Sequence, residues 1–365
     1  AIAKRIFDVG DLLAGGRSLP RRIHDGVSTG VYTSASAALR VSARGLRAAD
    51  RCGIGPALED TPRGRFVVSA VNGLIGDRLA EEVPEMAIEM AVRLCGRDVQ
   101  LDPDQLAVAF PAASDALVVF LHGLSESEEH WNRRAHETGG SYGERLAREE
   151  GWSPVCLRAN TGLPLAENGV ALSSLLDRLV AAWPTPVRRI ALVGHSMGGL
   201  IVRAGCAVTT TSARPWTDLV TDVVTLGTPH LGAPLERAAA IGARALGVLP
   251  ESAPFGRILE YRSTGILDLA NGLTRDVQNL PHAKYHLVAA TLASSPSHPV
   301  SEAFGDLLVR YPSATGRSRR GTAMFPGADV LHVPNAGHFD LLNHDDVYAM
   351  MRTWLRHSGP SRRSA

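Results

Sequence analysis

From about residue 97 to residue 356, short apolar runs alternate with segments of helical period. The runs at 99–101, 117–121, 154–158, 189–194, 220–226, 285–291 and 330–334 read as strands. Several are continuously apolar, as strands covered on both faces require. Between two of them, Leu172, Leu175, Leu176, Leu179, Val180 and Trp183 form one helical stripe, opened by Asn168-Gly169 and closed by Pro184. The last helix starts near Asn343, a good N-cap, and carries Asp345 and Asp346 in its first turn, where the helix dipole favours negative charge. Strand and helix in alternation predict an α/β fold: a mostly parallel, doubly wound sheet with helices on both faces.

Three segments stand outside this alternation. Residues 1–96 read as a helical extension, with a loose stripe of Val31, Ala35, Ala38, Leu39, Val41 and Leu46 among arginines, a Gly/Pro-rich linker over 52–64, and apolar helical segments over 67–94 broken at Pro84. Residues 230–282 are too long for an ordinary connection and include the apolar helical stretch 238–249. They form a cap, either a lid over an acyl pocket or a packed element that does not move. Residues 357–365 read as a flexible tail. The main domain is then 97–356.

Composition narrows the class. A chain of 365 residues with 45% hydrophobic content can bury one large core beside a smaller appended part. A net charge of +1 gives no electrostatic case for nucleic acid. Residues 1–51 hold nine basic and four acidic side chains, so a basic amphipathic helix there either touches a membrane surface transiently or packs on the main domain with solvated arginines. The cysteines Cys52, Cys95, Cys156 and Cys206 show no metal-binding spacing and read as free thiols in a reducing compartment, with two disulfides of a secreted enzyme as the alternative. No stretch has the ~18 apolar residues of a membrane span. A cytoplasmic location is expected, with secretion after loss of a presequence as the alternative.

The chemistry concentrates at Gly194-His195-Ser196-Met197-Gly198, set between the run 189–194 and a helix start. Strand, Gly-x-Ser-x-Gly turn and helix make a nucleophile elbow, in which a strained serine exposes its hydroxyl. A Cβ at the flanking glycines would meet the neighbouring strand or helix. Serine needs a general base and the base an orienting acid, in the chain order serine, acid, histidine. His338, in a loop after the last strand, is the candidate base, with His344 as its alternative and His332 inside the strand. Asp306, after the run 285–291, is the candidate acid; Glu236, Glu302, Asp329 and Asp340 are weaker ones, and an aspartate here could instead serve only the turn. The oxyanion would be held by the backbone amides of Met197 and of Leu124, in the turn His122-Gly123-Leu124. His195 is expected to pack or hydrogen-bond within the elbow, since an adjacent residue cannot easily present its ring to the serine hydroxyl.

These segments, together with Gly305-Asp306-Leu307-Leu308-Val309 and Gly337-His338-Phe339-Asp340, resemble the α/β-hydrolase superfamily, in particular bacterial lipases and esterases. Thr225-Leu226-Gly227-Thr228-Pro229-His230-Leu231-Gly232-Ala233-Pro234 is similar to a segment of triacylglycerol lipases and of GPI inositol-deacylase-like hydrolases. The resemblance spans about residues 97–356 and implies the α/β-hydrolase fold, with Ser196, Asp306 and His338 as a triad. Leu307 departs from it, standing where the family commonly has glycine. No ligand cluster for calcium or zinc is seen, so no metal or other cofactor is expected. The expected activity is hydrolysis of a lipid-like ester through an acyl-enzyme. An acyltransferase, thioesterase or amidase would use the same machinery, and a non-catalytic binding protein is the alternative of a different class.

Overall fold

The computed structural model describes residues 58–209, 212–234, 263–273, 277–317 and 323–357. The stripe over 31–49, Cys52, most of the 230–282 cap and the tail from 358 lie outside the described residues.

Eight strands form one sheet: β1 Ala91–Leu94, β2 Arg97–Val99, β3 Ala116–Leu121, β4 Ser153–Arg158, β5 Arg189–His195, β6 Val220–Leu226, β7 Lys284–Thr291 and β8 Asp329–Pro334, in the order β2-β1-β4-β3-β5-β6-β7-β8. β1 runs antiparallel to both β2 and β4, and every other neighbouring pair is parallel. The fold is the expected α/β-hydrolase architecture. Both faces of the central strands are buried. Leu117, Val119, Leu121, Leu192 and Val223 share a core with the helices Leu165–Ala182 and Met197–Cys206. Val118, Phe120, Val193, Val224 and Val288 face the helices Tyr142–Glu150 and Asp345–His357. Among the described residues no helix is long and apolar enough to cross a membrane.

The chain leaves β3 for β4 on one side, then crosses back to β5 on the other. Ligands of open parallel sheets bind outside the carboxyl ends of the strands at such a reversal. The His122-Gly123-Leu124 turn leaves β3 there, and Ser196 leaves β5 beside it.

Several local expectations change. Residues 91–94 are a strand and not part of a helix, and the strand expected at 99–101 lies at Arg97–Val99. Cys95 and Gly96, with φ of 50° and 75°, turn β1 into β2 as a two-residue hairpin with positive φ at both central positions. The expected domain boundary at 96/97 falls inside this hairpin, and the compact unit that holds the sheet begins at Leu58. Asn168 does not open its helix, which starts at Leu165; its side chain donates to the carbonyls of Asn160 and Leu163. Asn343 does not cap the last helix. Its amide group donates to the carbonyls of Trp131 and Arg133 and accepts from the Tyr142 amide, so it ties two distant loops together.

The extension contributes the helix Pro62–Glu82, which begins at an N-capping Thr61 and kinks at Ile75. Two of its glycines set how closely it lies on the main domain. A Cβ at Gly73 would stand 2.2 Å from Ser125 Oγ, and one at Gly76 would stand 1.9 Å from Asn160 Oδ1. The helix therefore rests directly on the loops that leave β3 and β4.

The loop after the helix Pro299–Phe304 shows what a leucine at position 307 costs. Leu307 has φ of 87°, in the left-handed region, and its side chain is 44% exposed. A non-glycine residue there costs about 1–2 kcal/mol, against the ~0.5–1 kcal/mol of chain entropy that glycine itself loses on folding. Leu307→Gly should therefore leave stability unchanged or raise it by up to about 1 kcal/mol. Gly305→Ala should lower it, because the new Cβ would stand 1.9 Å from the Val309 carbonyl oxygen at a φ of 60°. Urea midpoints of the two variants check this. A loss above about 1 kcal/mol in Leu307→Gly would contradict the strain argument.

Candidate active site

Ser196 follows β5 with φ of 52° and ψ of −123°, a backbone conformation that a side-chain-bearing residue seldom adopts. The glycines around it let strand and helix meet. A Cβ at Gly194 would stand 2.5 Å from Gly199 Cα, and one at Gly198 would stand 2.3 Å from the Leu121 carbonyl oxygen. Gly199 lies against Thr228 of the segment that follows β6. Met197 opens the helix Met197–Cys206, so its amide points out of the positive end of the helix dipole.

The loop after β3 is held from several directions. His122 accepts the Ala159 amide on Nε2 at 3.1 Å and donates from Nδ1 to the Gly123 carbonyl at 2.9 Å. Burial lowers its pKa, which agrees with a neutral ring used this way. The Ser125 amide donates to Thr161 Oγ1 at 3.0 Å. Gly123 lies flat against Ser196: a Cβ added there would be 2.9 Å from Ser196 Cβ. Leu124 and Met197 are both buried, and among the described residues their amides donate to no acceptor. Buried amides without acceptors are rare in folded proteins and suit a site that receives an anion.

Asp306 and His338 meet. His338 Nδ1 donates to Asp306 Oδ2 at 2.8 Å, and the His338 amide donates to the Asp306 carbonyl at 3.0 Å. The other carboxylate oxygen accepts the amides of Leu308 and Val309 at 3.0 and 2.7 Å, which fixes its orientation. The turn role and the pairing role of Asp306 therefore coexist. His338 Nε2 is buried with no hydrogen-bond partner among the described residues. Its ring packs against Gly227 and stands 4.8 Å from the ring of His195, centroid to centroid. Ser196 donates its amide to the Leu226 carbonyl at 2.8 Å, so the elbow and the His338 ring flank the same Leu226-Gly227 link. Burial alone would lower the pKa of His338. The charge and hydrogen bond of Asp306, with a further contribution from the charge of Glu126, overcome this and raise it above the ordinary histidine value.

The other candidates are engaged elsewhere. His344 accepts the Asp346 amide on Nδ1, and His332 Nε2 lies 2.7 Å from Thr291 Oγ1. Asp329 pairs with His286, and Asp340 accepts the Gly337 amide. Glu302 is exposed, and Glu236 lies outside the described residues.

Glu126 is the side chain at this site that the sequence did not single out. It is 4% exposed and accepts the Gly123 amide at 2.9 Å and His195 Nδ1 at 2.9 Å. Burial would raise its pKa, but the charge and hydrogen bond of His195 outweigh that and hold the carboxyl well below the usual carboxylate range. The only signal in the sequence was an acid three residues after His-Gly, within the acidic run Ser125-Glu126-Ser127-Glu128-Glu129.

Comparison with known proteins agrees with this architecture. Residues 118–350 match the model of the alpha/beta hydrolase family. Solved structures similar to the chain include a Bacillus licheniformis lipase in its mature form (19% identity, TM-score 0.45, covering 68% of this chain and 93% of that one). They also include a Pyrococcus furiosus esterase (15%, 0.42, 68% and 84%) and a Bacillus subtilis carboxylesterase (14%, 0.41, 66% and 83%). No curated protein matches at a significant level. The family model runs from β3 to the last helix, across the elbow and the loops that end the strands, and the chain belongs to the alpha/beta hydrolase family.

Proposed function

We propose that the chain is a serine carboxylic-ester hydrolase that works through an acyl-enzyme. The buried His338–Asp306 pair carries this reading, because it leaves the second ring nitrogen of His338 unpartnered beside the strained turn at Ser196. In the reaction, Ser196 Oγ attacks the ester carbonyl and gives its proton to His338 Nε2. Asp306 keeps the proton on Nδ1 and stabilises the imidazolium. The Leu124 and Met197 amides donate to the tetrahedral oxyanion, where one such donor contributes about 2.7–4 kcal/mol. His338 then protonates the leaving alcohol, and water repeats the sequence on the acyl-enzyme.

The acid part of the substrate is lipid-like in this reading. The cap between β6 and β7 carries the apolar stretch 238–249, and Leu267 on the helix Thr264–Asn271 stands exposed. That helix is joined to the extension: Ser263 donates to the Gly73 carbonyl, and Thr264 donates to Asp77 through both its amide and its hydroxyl. An apolar stretch in the cap sequence and the exposed Leu267 suit an acyl chain better than a charged acid.

A series of nitrophenyl esters of increasing acyl length tests the proposal. Wild type should hydrolyse the series with a preference for longer chains. Ser196→Ala should fall to background, and Asp306→Asn should lose about 10⁴-fold in kcat. Absence of hydrolysis at every length would end the ester reading, and full activity in Ser196→Ala would move the nucleophile elsewhere. The raised pKa of His338 sets the pH dependence. The base works only when neutral, so kcat/KM should be lost as pH falls through its pKa, with a midpoint above about 6.5. A midpoint below that value would contradict the charge environment described here.

A further inference from the structure

Glu126 stands where three functional segments meet. Its carboxylate accepts the Gly123 amide in the loop after β3 and the Nδ1 proton of His195 at the end of β5. His195 Nε2 lies 3.4 Å from the carbonyl oxygen of His338 in the loop after β8. Gly123 is enclosed between the two reactive sides: a Cβ placed on it would be 2.8 Å from Glu126 Oε1 and 2.9 Å from Ser196 Cβ. The carboxylate thus backs the turn whose other side receives the nucleophile. We propose that Glu126, acting through His195, is a positioning residue that holds the oxyanion loop, the elbow and the base loop in one geometry. This rests on the reading of Ser196, Asp306 and His338 as the reacting constellation.

A role in stability alone explains the arrangement poorly. Burying a carboxylate against an imidazole gains little net stability, because desolvation of the charge offsets the attraction. Glu126 and His195 are 4% and 0% exposed, so that desolvation is nearly complete. What the pair supplies is registration between loops that share no backbone ladder. Catalysis depends on such registration, since a displacement of about 1 Å at a reacting group lowers the rate by about 10².

The same groups surround the His338 ring with charge. His338 is faced by Asp306 from the loop after the helix Pro299–Phe304, by Glu126 from the loop after β3, and by the ring of His195 from β5. Glu126 is faced by His195, His122 and His130. His122 and His130 each accept a backbone amide on a ring nitrogen, from Ala159 and Ser127, so the proton that Glu126 receives comes from His195. The Glu126 charge adds to that of Asp306 in raising the pKa of His338.

Glu126→Gln removes the charge and keeps the shape. Two readouts on the full-length protein test it: the pH titration of the His338 imidazole followed by nitrogen-proton NMR, and kcat and KM on a nitrophenyl ester. The titration midpoint should move to lower pH. kcat should fall about 10–100-fold, with KM changed by less than about threefold. A purely structural residue would lower the melting temperature and leave the midpoint in place. Either readout remaining at its wild-type value overturns the assignment. If Glu126→Gln does not fold, Glu126→Asp keeps the charge and shortens the reach. It should retain the wild-type midpoint and lose about tenfold in kcat, and a wild-type kcat there overturns the assignment. If wild type hydrolyses no ester, the reaction reading falls, and the NMR titration still decides whether Glu126 governs His338.

Discussion

The turn at Ser196 has to pass from strand to helix within one residue, and the structure is arranged around that demand. A φ of 52° with ψ of −123° stores about 1–3 kcal/mol of strain that the surroundings must hold in place. They do so by close approach. Gly194 lets the strand touch the first turn of the helix, and Gly198 lets the helix touch the end of β3. With helix and β3 this close, the Met197 and Leu124 amides come from two segments that pack against one another. The His338–Asp306 pair is built separately. Asp306 holds His338 through both its side chain and its carbonyl, and both segments follow strands on the β6-β7-β8 side of the elbow.

Preorganisation of this kind depends on loops that do not move, and most of the polar groups around the site serve that end. The loop after β3 is fixed by His122 to Ala159, by Ser125 to Thr161 and by Glu126 to His195. Further along, Glu128 receives Arg93 from β1 at 2.9 Å, and Glu129 pairs with Arg65 of the extension helix. That helix lies on the same loop through Gly73. The part of the chain that matches nothing in the family core thus supports the part that does. In the proposed reaction, donors held by loops fixed in this way need no reorganisation when charge develops.

The sequence revealed much of this and missed some of it for definite reasons. The parallel strands were visible because burial on both faces demands unbroken apolar runs, and the elbow was visible because its glycines are sterically required. β1 was hidden. It has four residues, and Arg93 points from it to the buried carboxylate of Glu128 and the exposed one of Asp98, so polarity in a strand looked like the polar face of a helix. Asn168 and Asn343 look like caps by composition, yet Asn168 sits inside its helix and donates to the carbonyls of Asn160 and Leu163, and Asn343 donates to carbonyls of a distant loop. Glu126 was lost in a run of acids that reads as a solvated surface. Only contacts with His195, 69 residues away, show that it is buried. Leu307 was noted as a departure from its family, and the left-handed backbone there supplies the physical content of that remark.

Covalent trapping of the nucleophile tests the central claim most directly. The intact protein is treated with a fluorophosphonate ester, a mimic of the tetrahedral intermediate, and the modified residue is located by peptide mass spectrometry. One adduct per chain is expected, on Ser196, formed more slowly as pH falls through the titration of His338 and abolished by Ser196→Ala. An unmodified protein, or an adduct on another side chain that persists in Ser196→Ala, would contradict it.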